Sequence, residues 1–204
     1  MGFDDVLARV RACRICVETP KGKPLPHQPR PVLQPSRNAR ILLAGQAPGV
    51  RVHGSGRPFT DPSGVRLREW LAVGEETFYD DRRFAIVPMG FCFPGFNAQG
   101  ADLPPRPECA PAWRAILMAE MPQIELVICL GAHAMRWHMG SAFGGSVDAA
   151  VRNWRAGLEL APAVIPLPHP SWRNSGWLNR NPWFAAELLP VLRDRVAALL
   201  AGTP

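Results

Sequence analysis

Four short apolar runs, separated by longer amphipathic segments, constrain the fold of this chain more than any other feature of its sequence. They are ARILLAG (39–45), FAIVPMG (84–90), ELVICLG (125–131) and AVIPLPH (163–169). Each run is apolar almost throughout, which is typical of strands that are buried on both faces of a parallel sheet. The chain should therefore contain a central sheet that is covered by helices on both sides.

Segments with helical spacing of apolar residues lie before, between and after these runs. They span residues 3–13, 64–73, 110–121, 132–140, 146–158 and 182–201. Alternating strands and helices predict an α/β fold, a three-layer α/β/α sandwich around a central four-stranded, mainly parallel sheet. We expect residues 1–204 to form a single domain, in which residues 1–38 supply an N-terminal helix and a proline-rich arm.

The amino-acid composition and the net charge limit the kinds of molecule that the protein is expected to bind. Hydrophobic residues make up 47% of the 204 residues, enough for a substantial core, and the net charge is +6. The positive charge favours a polyanionic partner, and it is carried almost entirely by arginine, whose planar fork suits phosphate. No apolar run approaches the roughly 18 residues of a membrane span. The charged, amphipathic start lacks a signal-peptide core, so we expect a cytoplasmic protein, and we also expect it to be a monomer.

The segment after the first predicted strand has the composition of a rigid pocket wall. GQAPGVRVHGSGRPFTDPSG (45–64) contains five glycines and three prolines. Glycine permits close approach of a ligand, whereas proline fixes the path of the chain. The segment matches neither a phosphate-binding Walker loop nor a dinucleotide-binding glycine motif. Its candidate functional side chains are Gln46, His53, Phe59 and Asp61, although Phe59 can equally be a core aromatic and Asp61 a helix N-cap.

A second unusual loop follows the last predicted strand. PHPSWRN (168–174) places a histidine, a tryptophan and an arginine on a stretch without helical or strand periodicity. Loops at the carboxyl ends of strands carry the chemistry of α/β proteins. His169 is therefore a candidate catalytic residue, whereas Trp172 either packs structurally or offers a stacking surface.

Taken in order, the two loops resemble the motifs of a known family. GQAPG, six residues and GRPF, followed late in the chain by HPS, resemble the two motifs of the uracil-DNA glycosylase superfamily, most closely its iron–sulfur branch. HPSWRN also resembles the HPSPRN of single-strand-selective monofunctional uracil glycosylases. The resemblance covers roughly residues 10–200. It implies a bacterial, nucleoid-associated base excision repair enzyme that flips uracil out of DNA, hydrolyses its N-glycosidic bond and leaves an abasic site.

The resemblance implies a role for each candidate residue. His169 should donate a hydrogen bond to uracil O2 as the base leaves, and Phe59 should stack on the base. Catalytic roles are expected for His169, Asp61 and Gln46. Uracil contacts are expected from Gly45, Gln46, Ala47, His53, Phe59 and Asn174, and DNA contacts from Ser171, Trp172 and Arg173.

Three positions depart from the family pattern. Ala47 stands where the best-known branch carries a water-activating aspartate, and Gln46 stands where the iron–sulfur branch has an acidic residue. Pro88 falls where an asparagine reads the uracil edge. Gln46 can still orient water, Asp61 is the nearest candidate for the missing carboxylate, and Asn174 can take part of the lost amide role.

Four of the five cysteines form a second candidate site. Cys13-x-x-Cys16 lies near the start, and Cys92 and Cys109 bracket a proline-rich loop. In a reducing compartment such a set favours metal binding over disulfides. The resemblance implies a [4Fe–4S] cluster, and Zn²⁺ on four thiolates is the physical alternative. The 28 residues between Cys16 and GQAPG exceed the family spacing, and Cys129 should be an inert core thiol.

Two alternatives to an enzyme remain open on the sequence. The chain can be a uracil-DNA binding protein with little turnover, since the three departures remove groups that act in its relatives. It can also be a metal-stabilised nucleic-acid-binding module, which would need the cysteines but not the cavity.

Overall fold

A four-stranded parallel sheet forms the centre of the computed structural model, which describes residues 2–202. Its strands are β1 (Ile41–Ala44), β2 (Phe84–Ile86), β3 (Leu126–Leu130) and β4 (Ala163–Leu167). All pairs are parallel, in the order β2-β1-β3-β4. Nearly every strand residue is buried, as continuous apolar runs require. Residues 1, 203 and 204, the outermost positions of the predicted domain, lie outside the described part.

Helices fill the connections between the strands. They are α1 (Phe3–Arg11), α2 (Ile15–Glu18), α3 (Val50–Ser55), α4 (Pro62–Leu71), α5 (Glu75–Tyr79), α6 (Cys109–Ala119), α7 (Ala132–Met139), α8 (Val147–Arg152), α9 (Trp154–Leu158), α10 (Ser175–Arg180) and α11 (Leu189–Ala201). Short 3₁₀ turns cover Gly140–Phe143 and Trp172–Asn174, and a π-helical turn covers Phe184–Leu188. No helix within residues 2–202 is long and apolar enough to cross a membrane.

The strand order distributes the helices over both faces of the sheet. The chain moves from β1 to β2 in one direction and then returns past β1 to β3 and β4. Because parallel crossovers are right-handed, this reversal places α3 to α5 on one face and α6 to α9 on the other. Contacts agree with this arrangement, since α11 packs on α4 and α1 packs on α6. The predicted three-layer α/β/α fold is confirmed.

The proline-rich arm lies along the free edge of β2. Gln34 and Ile86 exchange two backbone hydrogen bonds of 2.7 Å, and the Val32 amide donates to the Phe91 carbonyl at 2.7 Å. The neighbouring prolines have no N–H to extend this pairing. The arm therefore covers an edge strand that would otherwise be open to another chain.

Several predicted elements differ from the structure in extent. The segment predicted as one helix over 146–158 is two helices, α8 and α9, that meet at Asn153. Both pack on β4, and a methyl group at Gly157 would overlap the Val164 carbonyl oxygen. The glycine-rich segment 45–64 contains the short helix α3, and β2 ends at Ile86, ahead of Pro88, which cannot donate to a strand ladder.

A buried arginine joins α6 and α7 to the end of β2. Arg114 is fully buried and donates through Nη1 to the carbonyls of Val87 at 2.5 Å and Pro88 at 3.2 Å. Its Nε and Nη2 donate to His138 Nε2 at 3.2 and 2.6 Å. These contacts satisfy a cation that would be costly to bury alone. They also fix the segment after β2 that lines the cavity described next.

Candidate functional site

A cavity of about 100 Å³ opens at the carboxyl end of the sheet, where the loops after β1, β2 and β4 meet. The β1 and β3 loops leave in opposite directions here, which is where open α/β sheets bind ligands. Of the predicted site residues, the cavity wall contains Gly45, Gln46, Ala47, Phe59, Asp61 and His169. The wall is completed by Val32, Pro48, Gly49, Val52, Pro58, Ser63, Ile86, Pro88 and Asp102.

Phe59 is held over the floor of the cavity in a strained backbone conformation. Its φ is 55°, a left-handed value that is uncommon for a bulky residue. The Tyr79 hydroxyl donates to the carbonyls of Pro58 at 2.8 Å and Phe59 at 3.1 Å, which fixes this turn. The ring lies beside Gly45 and meets Phe78 edge to face, with centroids 6.0 Å apart. Phe59 therefore packs on the core and still presents a ring to the cavity.

Asp61 stands at the first turn of α4, but its carboxylate does not cap the helix. Its side chain accepts no hydrogen bond from the helix amides. Instead the Ser63 hydroxyl donates to it at 2.8 Å from one oxygen and 3.0 Å from the other. The remaining lone pairs are available on the cavity wall, where a carboxylate can orient water or oppose a developing positive charge.

His169 reaches the cavity from the loop after β4. Burial lowers the pKa of its imidazole below the ordinary value, although the negative charge of Asp61 opposes the change. The ring is therefore neutral near pH 7 and can donate one N–H. Asn174 does not line the cavity; its Nδ2 donates to the His169 carbonyl at 2.7 Å and so holds the loop that carries the histidine.

The rim beside His169 exposes an aromatic ring and a cation. Trp172 is 74% exposed, the most of the exposed large hydrophobic residues, and the Arg173 guanidinium lies 5.8 Å from its ring centroid. The carbonyl of Ser171 accepts from Arg66 Nη1 at 3.0 Å, and Ser175 Oγ accepts from Nη2 at 3.3 Å. Arg66 thus fastens the rim loop to α4. An exposed indole on an anchored loop is available for stacking on a base.

Gln46 and Gly45 join the loops that follow β1 and β2. The carbonyls of Gly45 and Gln46 accept hydrogen bonds from the amides of Met89 and Gly90 at 2.9 and 2.8 Å. The Gln46 side chain extends to the start of α7, where a methyl group at Gly131 would lie 3.0 Å from Nε2. The cavity wall around Gln46 is therefore rigid.

His53 lies beside the cavity rather than in its wall. Its ring centroid is 4.3 Å from that of His27 and 6.0 Å from that of Phe93. Burial, with the nearby charges of His27 and Arg30, lowers the pKa of His53. Within the described chain its buried Nδ1 has no hydrogen-bond partner. The structure thus places His53, a residue of α3, in a cluster of rings with His27 and Phe93.

A comparison of the sequence with models of protein families assigns the chain to a superfamily. The family model of the uracil-DNA glycosylase superfamily matches residues 32–193, which is most of the chain and includes every residue of the cavity wall.

The chain belongs to the uracil-DNA glycosylase superfamily.

Membership supports a uracil-DNA glycosylase-type function and DNA as the partner. It also explains why the loops after β1 and β4 converge, since a glycosylase must enclose a base that has left the helical stack. A half-buried ring, a carboxylate and a neutral imidazole on one cavity can perform that chemistry.

The four predicted metal ligands meet outside this cavity. Cys13, Cys16, Cys92 and Cys109 line one small pocket of about 10 Å³. Only the last two lie within the residues that match the superfamily. Burial raises the pKa of Cys92 and Cys109 to about 12, so their thiolates would need a metal's positive charge. Cys129 is fully buried in β3 and lies apart from this pocket.

Sequence reasoning missed two residues that shape this glycosylase-family site. Asp102 lines the cavity although it lies in the loop between the second pair of cysteines, far from either motif. Arg66, which anchors the rim loop, lies on a helix among other arginines. Neither residue carries a local sequence signal, because each acts through a contact with a distant segment.

Proposed function

We propose that this protein is a monofunctional uracil-DNA glycosylase that flips uracil out of DNA and hydrolyses the bond between the base and deoxyribose. The observation that carries the proposal is the convergence of Phe59, Asp61 and His169 on one cavity in a member of this superfamily. The expected product is free uracil and an abasic strand.

Each of the three residues suits one requirement of the reaction. The Phe59 ring offers a stacking face for a pyrimidine. A neutral His169 can donate to uracil O2, where negative charge grows as the base leaves. The Asp61 carboxylate can stabilise the positive charge that develops on the sugar.

The rim suits the DNA around the flipped nucleotide. Trp172 offers a plane to fill the gap in the base stack, and Arg173 offers a cation to the phosphates on either side. The net charge of +6 is consistent with a polyanionic partner.

Incubation with a uracil-containing oligonucleotide, followed by alkali, tests this function. We expect strand cleavage at the uracil, and no cleavage of the matched thymine oligonucleotide. An intact strand with retarded mobility on a native gel would instead indicate a uracil-DNA binder. That second candidate is favoured by Ala47 and Pro88, which supply neither the carboxylate nor the amide found in active relatives.

The four cysteines line one pocket, and the family resemblance assigns them to a [4Fe–4S] cluster, with a single zinc ion as the alternative. In a cluster each thiolate binds its own iron, whereas one zinc needs every sulfur within about 2.3 Å of the same ion. Across residues 2–202, no group of three or more His, Cys, Asp or Glu side chains is already arranged to hold a metal ion, so either centre would have to draw the four sulfurs together. A cluster here would join the N-terminal helices to the loop after β2.

Metal analysis of the purified protein tests the cluster. We expect a brown protein that contains iron, and we expect Cys92→Ala to lose the colour and the iron. Cys129→Ala, a cysteine outside the pocket, is the matched control and should retain both. A colourless protein with stoichiometric zinc would contradict the cluster but keep the ligands.

A further inference from the structure

The cavity has a second carboxylate that neither motif supplies. Asp102 lies on the loop between Cys92 and Cys109, yet its side chain lines the same wall as Asp61 and His169. The departures at Gln46 and Ala47 leave the loop after β1 without an acid at those positions. A carboxylate from another segment can therefore take the place of the missing acid.

A tight hairpin over residues 95–103 fixes the position of Asp102. Phe96 and Asp102 form an antiparallel bridge, and the Leu103 amide donates to the Gly95 carbonyl at 2.9 Å. At the tip, Asn97 Oδ1 accepts from the amides of Gln99 at 3.0 Å and Ala101 at 2.9 Å. The backbone of Asp102 is thus anchored on both sides, so its carboxylate does not depend on a mobile loop.

The carboxylate lies against the segment that has lost its acid. A methyl group at Gly49 would lie 3.1 Å from Asp102 Oδ2, so the oxygen is packed on the chain two residues beyond Ala47. Glycine at this position leaves room for the carboxylate. Asp102 therefore supplies a negative charge from outside the loop, beside Gly49.

Asp102 is an exposed residue on the cavity wall, and within the described chain its carboxylate has no partner that would occupy its oxygens. No hydrogen bond or ion pair shorter than 4 Å engages its side chain among residues 2–202. Burial raises its pKa, while the charge of Arg173 opposes the rise and that of Asp61 adds to it. An unoccupied carboxylate on a cavity wall is suited to accept a proton from water.

We propose that Asp102 is the catalytic base that holds and activates the attacking water, while Asp61 opposes the positive charge on the sugar. The inference rests on the proposed glycosylase function. The bond between C1′ and uracil N1 breaks, and its electron pair leaves with the base. The water oxygen bonds to C1′, its proton passes to Asp102, and that proton then returns to the uracil anion through solvent.

The test compares single-turnover uracil release by the wild type, Asp102→Asn and Asp61→Asn. The amide keeps the shape of the side chain but cannot accept the proton, so we expect Asp102→Asn to lose about 10²-fold in rate or more. Asp81→Asn makes the same change on another exposed residue, one that lies outside the cavity wall, and it should keep the wild-type rate and melting temperature.

Chemical rescue separates a base from a structural residue. Formate can occupy the space left by Asp102→Ala and accept the proton, so the rate of that variant should rise at least tenfold with added formate. Asp102→Asn, in which the space is filled, should not respond. A wild-type rate for Asp102→Asn, or a slow Asp102→Ala that formate does not rescue, would overturn the inference. Failure of the wild type to release uracil would instead overturn the proposed function, and this assignment with it.

Discussion

At the scale of single residues, the proposed function depends on His169 being neutral. Its imidazole lies on the cavity wall, and burial lowers its pKa. A neutral ring can donate one N–H to the departing base without leaving an uncompensated charge in the cavity after release. In the proposed reaction the residue therefore acts by placing a hydrogen bond, not by supplying a proton.

Replacement of His169 by alanine should lower the single-turnover rate of uracil excision by roughly 10²- to 10³-fold, the usual cost of one transition-state donor. His133→Ala is the control, because this half-buried histidine lies on α7 outside the cavity wall. An unchanged rate for His169→Ala would remove the residue from the mechanism.

At the scale of elements, the junction of the β1 loop with α4 stores backbone strain. Phe59 has a positive φ, and Gly64 lies so close that a methyl group there would overlap the Phe59 carbonyl oxygen. Strain of this kind persists only where the surroundings hold it, which here means the Tyr79 hydroxyl and the first turn of α4.

The substitution Gly64→Ala should therefore destabilise the protein by about 1–3 kcal/mol, because the added carbon forces the backbone of Phe59 to move. Thermal unfolding measures the effect. Gly54→Ala is the matched control, since nothing lies within 4 Å of the added carbon and its helix favours alanine. Equal melting temperatures for the two variants would show that Phe59 is not constrained by Gly64.

The link between α6 and α7 makes stability depend on pH. Burial and the charge of Arg114 lower the pKa of His138 to about 3, and Nε2 of the histidine accepts hydrogen bonds from that arginine. The unfolded histidine binds a proton near its ordinary pKa of about 6.5. Between these values the unfolded state holds the extra proton, so stability falls as the pH falls below about 6.5.

Substitution of His138 by glutamine, which can still accept from Arg114 but does not titrate, should reduce this loss. Urea unfolding at pH 7 and pH 5 should show a decrease that is smaller in the variant by about 2 kcal/mol. Part of the acid sensitivity should remain, because burial also lowers the pKa of His53, His133 and His169. The same pH dependence in both proteins would contradict this account.

At the scale of the whole molecule, the sequence predicted those features that depend on local pattern. The four apolar runs form the four strands. A strand that is buried on both faces is apolar at nearly every residue, so it can be recognised from the sequence alone. The two motif loops converged as expected, because parallel strands end at the same edge of the sheet. The break at Asn153 and the helix α3 were not predicted, since packing on β4 and the path of a glycine-rich loop depend on distant contacts.

The contributions of Asp102 and Arg66 depend on the whole fold in the same way. Asp102 reaches the cavity only because the hairpin over 95–103 folds back on Gly49, and Arg66 acts only because α4 passes under the rim loop. Conversely, His53 and Asn174 looked like cavity residues from their place in the sequence. In the fold His53 lies in an aromatic cluster instead, and the Asn174 side chain donates to the His169 carbonyl.

Mass spectrometry of the products formed with a uracil-containing oligonucleotide tests the central claim most directly. The account predicts free uracil together with a strand that carries an abasic site in equal amount, and neither product in excess of background with His169→Ala. Recovery of the intact uracil-containing strand from a stable complex, with no free uracil, would contradict it.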